Sequence, residues 1–164
     1  MNTAIFVLTL CAALGSGLMA GVFFAFSTFV MQALARLQPA QGIEAMQEIN
    51  RTVLNPWFLG VFMGTAVLSL VLGGMILEHW GQPGAVYVVA GCLLYFVGTF
   101  AVTAAFNVPM NNALERVEAG SEEGARLWDD YLKRWTRWNH VRTVAALLGA
   151  AALTLALWPG LPGG

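Results

Sequence analysis

Charge is what this 164-residue chain has least of: eight Lys and Arg, nine Asp and Glu, 10% of the sequence in all. A soluble domain carries roughly a quarter. With 58% hydrophobic residues and a mean hydropathy of +0.67, there is too little charge to cover the surface of a water-soluble globule. An ordinary soluble protein and a disordered chain are both excluded. A net charge of −1 gives no basic field, so nucleic acid is not an expected partner. Two cysteines are too few for a disulfide scaffold or a cysteine-based zinc site. No phosphate loop, nucleophile elbow, dinucleotide fingerprint or Cys-x-x-Cys-His haem attachment occurs.

What is there is long apolar runs. No charged side chain precedes Arg36, and none falls in Pro56–Leu77, in Gly81–Asn112 or after Arg142. About 20 apolar residues cross a bilayer core as a helix, because an isolated strand would leave its backbone groups unpaired in lipid. The runs predict an all-α, four-transmembrane-helix bundle, one integral membrane domain over 1–164, with spans at about 5–31, 56–77, 84–106 and 141–158. The first span lacks a basic leader and is too long for a signal peptide, so a retained helix is expected. The connecting segments, about 32–55 and 107–140, hold every Lys and Arg except Arg142, which just follows them. The positive-inside rule makes those segments cytoplasmic and places both termini outside, in a bacterial inner membrane. Trp80 and Trp158 then anchor the outer boundary, and Trp57, Trp128, Trp135 and Trp138 the inner one.

Both cytoplasmic segments carry helical stripes: Ile43, Met46, Ile49 and Val53 in the first, and Trp128, Tyr131, Leu132, Trp135 and Trp138 in the second. They predict short interfacial helices, the second starting at Ser121-Glu122-Glu123. Phe26-Ser27 and the Ala33–Leu37 stretch match Phe106-Asn107 and Ala113–Val117 at an offset of 80. Thr52 and Asn55 match Thr136 and Asn139 at an offset of 84. The pattern implies two helix–segment–helix repeats. Gly17, Gly21, Gly60 and Gly64, with Ala145, Ala146 and Gly149, are expected to pack helices closely, and such faces also suit a homo-oligomer.

Polar groups converge at one depth. Thr103, Asn107 and Asn111 share a face of a regular third helix. Pro109 interrupts it, so a kink or helix end is expected there. Asn139, Arg142 and Thr143 share a face of the fourth helix, with His140 about 100° from Asn139. Asn55 before Pro56 reads as a helix N-cap, and Asn139 reads either as a cap or as a site residue. Arg142 either snorkels to the interface or marks a site, as a charge entering an apolar span does by default. His140 can act as a proton acceptor, with Arg142 stabilising the resulting anion. No cofactor is predicted. His79 and His140 lie on opposite faces, which argues against a metal site, and noncovalent haem on His140 stays open.

The elements Gly21–Ser27, Asn55-Pro56, Phe106-Asn107-Val108-Pro109-Met110-Asn111-Asn112-Ala113-Leu114 and Trp135–Thr143 resemble the anthrone oxygenase-like membrane family, long catalogued as a domain of unknown function. The resemblance spans nearly the whole chain and implies a small four-helix membrane protein. It also implies an oxidoreductase acting with dioxygen on an apolar aromatic molecule of the anthrone type. Asn107, Asn111, Asn139 and Arg142 match the family pattern, whereas His140 belongs to some members only. The expected site is therefore His140 and Arg142 for chemistry, with Asn107, Asn111, Asn139, Asn55 and Ser27 holding substrate. Enolate formation and direct reaction with oxygen would need no cofactor. The competing readings are a non-catalytic membrane protein that binds a lipophilic ligand and an accessory subunit.

Overall fold

Asn55 and Pro56 open a helix in the manner their residue types dictate. The Asn55 Oδ1 accepts hydrogen bonds from the Trp57 and Phe58 amides at 3.1 and 3.0 Å, and proline follows where its missing N–H costs nothing. Ser121 does the same for another helix, accepting from the Gly124 amide at 2.9 Å, with Glu122 and Glu123 at the positive dipole end. The computed structural model describes residues 3–158 and consists there of five helices: α1 (Thr3–Leu34), α2 (Pro39–Thr52), α3 (Pro56–Glu78), α4 (Ala85–Glu115) and α5 (Glu122–Ala156). No strand occurs among the described residues. The chain ends placed outside by the positive-inside rule lie beyond those residues.

Three helices, α1, α3 and α4, are long and apolar enough to cross a membrane, which makes this a helical membrane protein. The helices extend beyond the expected spans. The helix of the third span does not stop near Phe106 but runs to Glu115. Pro109 neither ends nor breaks it, because the backbone widens into a π-helical turn at Thr103–Asn107, where the Val108 amide bonds to the Thr103 carbonyl. A proline in the next turn then meets a register already shifted. The separate fourth span and second interfacial helix are one continuous helix of 35 residues. Asn139 thus sits in mid-helix and caps nothing.

α1, α3, α4 and α5 pack side by side, α1 against α5 and α3, and α4 against α5 and α3. The core is layered. At the end nearest the α3–α4 turn, Ile5, Ala12, Leu72, Ile76, Val88 and Leu153 are buried together. Met19, Phe23, Phe62, Ala66 and Tyr95 form a middle layer. At the far end, α2 and the first half of α5 close the bundle with Ile43, Met46, Leu114, Trp128, Tyr131 and Trp135. Trp128 and Trp135, expected as interfacial anchors, are 2% and 3% exposed and belong to this core. Trp57 and Trp158 are exposed as anchors should be. The apolar stripes of α2 and α5 face each other here, so each supplies the surface the other needs to bury.

Small residues do hold the helices together: Ala145, Ala146 and Gly149 are buried at helix crossings as expected, whereas the glycine pairs four apart are not. A Cβ on Gly21, Gly60 or Gly64 would meet nothing within 4 Å, and one on Gly17 only Ala150 at 3.9 Å. The tight crossings lie elsewhere. A Cβ on Gly91 would stand 2.5 Å from the Leu153 Cγ and 3.0 Å from the Gly149 carbonyl oxygen, and one on Gly98 2.5 Å from the Ala145 Cβ. Gly84, with φ of 82° and the Ala156 carbonyl 2.8 Å from where its Cβ would be, lets the α3–α4 turn fold onto the end of α5. Gly91→Ala is therefore expected to lose about 1–3 kcal/mol through overpacking, seen as a lowered Tm in detergent. Gly60→Ala serves as the comparison and should hold or raise the Tm, since alanine is the better helix former.

Candidate functional site

Beneath the α2–α5 cap lies a cavity of about 310 Å³ that all five helices line. Its walls are hydrocarbon and aromatic ring, with Phe23 and Phe26 from α1, Met46 and Ile49 from α2, Phe58 and Phe62 from α3, Phe100 from α4 and Trp135 from α5. Phe62 meets Phe100 at 5.6 Å between ring centroids and Phe23 edge-on at 6.5 Å. The polar exceptions among the lining residues are Asn50, Thr103, Asn111 and Arg142.

Arg142 is the centre of this set. It is 6% exposed and has no carboxylate partner among the described residues. The ion pairs formed by Arg51, Arg126 and Arg134 all lie on exposed surface, where each is worth ~0–1 kcal/mol. The Arg142 guanidinium is held between two aromatic faces, 4.1 Å from the Phe23 ring centroid and 4.8 Å from that of Trp135. Its Nε donates to the Asn139 Oδ1 at 2.8 Å and its Nη1 to the Thr103 Oγ1 at 3.4 Å. A guanidinium carries five N–H donors, so those two bonds leave donors free at the cavity. Burying a charge costs several kcal/mol, and two cation–π contacts return ~2 kcal/mol each when desolvated.

Asn139 fixes that arginine in place. Arginine only donates, so the amide atom facing it must be oxygen, and the Nδ2 is thereby aimed at α1. It donates to the Phe23 carbonyl and the Ser27 Oγ, both at 2.7 Å. Ser27 also pairs with the Thr143 hydroxyl at 3.0 Å. The same logic orients Asn111. Its Oδ1 accepts from the Trp135 indole N–H at 2.7 Å and the Tyr131 hydroxyl at 2.8 Å, so its Nδ2 stays unengaged at the cavity. Burial pushes the Tyr131 phenol well above its ordinary range, against smaller opposing effects of Asn50 and the Arg142 charge. Tyr131 is thereby kept as the hydroxyl that donates to Asn111.

The seven residues singled out in the sequence divide sharply. Arg142, Asn139 and Ser27 form one bonded group, and Asn111 is tied to it through Trp135. Asn107 is fully buried against α5, where its Nδ2 donates to the Trp135 carbonyl at 3.3 Å, and it does not line the cavity. Asn55 uses both side-chain atoms on local backbone, its Nδ2 donating to the Thr52 carbonyl at 3.0 Å; it is a cap. His140 is exposed on α5 and is absent from the lining, as its 100° offset from Asn139 requires. It therefore has no position from which to coordinate haem in the cavity. Among the described residues no three His, Cys, Asp or Glu side chains gather as a metal site, and the lining offers no imidazole, thiol or carboxylate. Sequence reasoning missed Asn50, whose Nδ2 is buried without a partner. The available signal was its place one residue beyond Ile49 on the α2 stripe.

The anthrone oxygenase family matches this sequence over residues 57–152. That is more than half of the chain. The chain belongs to the anthrone oxygenase family. The matched stretch contains Asn107, Asn111, Asn139, His140 and Arg142, whereas Ser27 and Asn55 precede it. No curated protein and no solved structure matches the chain.

The bonded group makes a clear demand on stability. Asn139→Ala removes the acceptor for a buried guanidinium and the donor to Ser27 and Phe23 at once. It should cost about 1.5–3 kcal/mol, the range for hydrogen bonds to a charged group, measured as a fall in Tm. His140→Ala, on the outside of the same turn, should leave the Tm unchanged.

Proposed function

We propose that this protein is a membrane oxygenase whose cavity holds a flat, apolar aromatic ketone of the anthrone type and whose Arg142 stabilises the oxyanion formed when that ketone ionises. The observation that carries this reading is a buried guanidinium with free donors and no internal counter-ion, set in a wall of aromatic rings. Natural ligand cavities run roughly 300–1,000 Å³, and 310 Å³ suits a molecule of a few fused rings. Membership of the anthrone oxygenase family supports the substrate class.

The chemistry asks little of the chain. The methylene opposite an anthrone carbonyl is acidic because its conjugate base is an aromatic enolate. Arg142, reinforced by the free Asn111 Nδ2, lowers the free energy of that anion where charge develops on oxygen. No lining side chain can act as the base, so the proton passes to water and His140 has no part. The electron-rich enolate reduces dioxygen and joins it, forming a carbon–oxygen bond. The resulting peroxide takes up a proton, its O–O bond breaks as the remaining carbon–hydrogen bond gives up its electron pair, and water leaves. Anthrone and one dioxygen become anthraquinone and one water. Asn139 and Ser27 act as positioning residues that hold Arg142.

We place the protein in the bilayer with four spans, the uncharged second half of α5 being the fourth, and with the α2–α5 cap at the cytoplasmic face, where the basic residues cluster. The wide turns at Phe26–Val30 and Thr103–Asn107 fall on the matching segments of the two proposed repeats, which supports that arrangement.

The test is oxygen uptake and anthraquinone formation in liposomes, corrected for spontaneous oxidation. Arg142→Met should lower turnover by about 10²-fold or more, the usual effect of losing one oxyanion donor. It should hold or raise the Tm, because a buried charge is being replaced by a packed apolar chain. His140→Ala should keep full turnover and the wild-type pH profile, which follows ionisation of the substrate rather than of an imidazole. Retained turnover in Arg142→Met would overturn the assignment, and saturable binding without oxygen uptake by the wild type would make the protein a carrier of such molecules.

A further inference from the structure

The cavity's walls are unequal. Phe23 from α1 and Trp135 and Arg142 from α5 are sealed, at 3%, 3% and 6% exposed, and Val22 and Phe26 of α1 are half-buried. Residues on one edge of α3 and the facing edge of α4 are not: Met63 is 45% and Val108 41% exposed, and Ala104 is exposed as well. The backbone shows why. α3 packs against α4 along Ala85–Ala101, and that close packing is not continued at the Thr103–Asn107 turn or beyond it. The wide turn in α4 therefore coincides with the place where the two helices separate. The cap over the cavity is sealed, although Leu54 at the corner between α2 and α3 also lines the cavity and is 67% exposed. The cap between the cavity and the polar end is built from Ile43, Met46, Tyr131 and Trp135, all between 0% and 3% exposed.

We infer that the cavity takes its ligand sideways from the lipid, through the gap between α3 and α4 bordered by Leu59, Met63, Ala104 and Val108. Both helices that frame it are among those long and apolar enough to span a membrane. Met63 lies seven residues past the start of α3, roughly 10 Å along the axis at 1.5 Å per residue, and Ala104 stands eight residues before the end of the uncharged run of α4 at Asn112, roughly 12 Å. The opening is thus set within the uncharged length of both helices, where lipid can reach it. This inference rests on reading the cavity as a site for an apolar aromatic molecule, and it adds a constraint on that molecule. The ligand must partition into the bilayer and arrive uncharged, so it ionises only after reaching Arg142. Permanently charged analogues are excluded by the route, whatever their shape.

The experiment reads access without relying on turnover. In a background with Cys11→Ser and Cys92→Ser, Met46→Cys places one thiol on the cap side of the cavity, at a position 1% exposed in the native protein. The protein in liposomes is treated with a lipid-soluble pyrene maleimide or with a charged, membrane-impermeant thiosulfonate. The apolar reagent should label and the charged one should not. Adding Ala104→Trp, which fills the gap, should slow labelling by roughly tenfold or more, a factor of ten corresponding to ~1.4 kcal/mol of added barrier. Val144→Trp, on the exposed face of α5, should leave the rate unchanged. Faster labelling by the charged reagent would place the route through the cap and overturn the inference. Unslowed labelling in Ala104→Trp, or no labelling by either reagent, would overturn it equally. If the lateral route holds while anthrones are neither bound nor oxidised, the substrate reading fails on its own.

Discussion

A guanidinium buried among hydrocarbon without a carboxylate is the constraint on which the rest of this structure depends. Arg142 stays in place because Phe23 and Trp135 cover its faces and Asn139 and Thr103 accept its hydrogen bonds. Each of those residues is then committed. Asn139 must be buried in mid-helix, which requires α5 to be continuous through it. Trp135 must turn its edge to Asn111, which fixes the α4 side of the cavity. Phe23 and Ser27 must meet α5 at the same level, which sets how α1 leans. The cation is a net burden on stability, since cation–π contacts and neutral acceptors return only part of the desolvation cost. Its retention is best understood through the anion it is proposed to meet.

The irregular backbone lies where that arrangement needs it. α1 widens at Phe26–Val30 and α4 at Phe96–Ala101 and Thr103–Asn107, beside the polar group rather than in the regular layers toward the other end. Wide turns of this kind gather at functional sites in helical proteins. Here they bring Ser27 to Asn139 and carry α4 past Pro109 without a break. The layer nearest the α3–α4 turn, with Ile5, Leu72, Val88 and Leu153, contains none and packs as plain helices do. The bundle is thus orderly at one end and adapted to a cavity at the other.

Much of this was legible in the residues. The long uncharged runs located three membrane helices, Asn55 and Ser121 declared their caps, and Asn139 and Arg142, read on one face, do bond to each other, with Asn111 on the same cavity. The errors share a cause. The run Trp138-Asn139-His140-Val141-Arg142 reads as a boundary because polar residues usually sit at span ends, yet Asn139 and Arg142 bond to each other and the helix passes straight through. His140 drew attention as a titratable group, but one step along a helix turned it outward. The glycine pairs four apart fit a packing rule, while the crossings are made at Gly91 and Gly98, because crossing points depend on how helices lean and not on spacing within one of them.

The sequence alone determined that this chain is helical and membrane-embedded and where two of its helices start, since length, hydropathy, caps and residue type are local properties. Tertiary structure alone decided that Arg142 is paired with no acid among the described residues, that its faces are covered by rings from α1 and α5, that Asn111 presents its amide nitrogen and not its oxygen, and that α3 and α4 part beside the cavity. Those facts depend on which side chains from distant segments arrive at one point and which donors are already satisfied there. No spacing rule within a single helix can encode them.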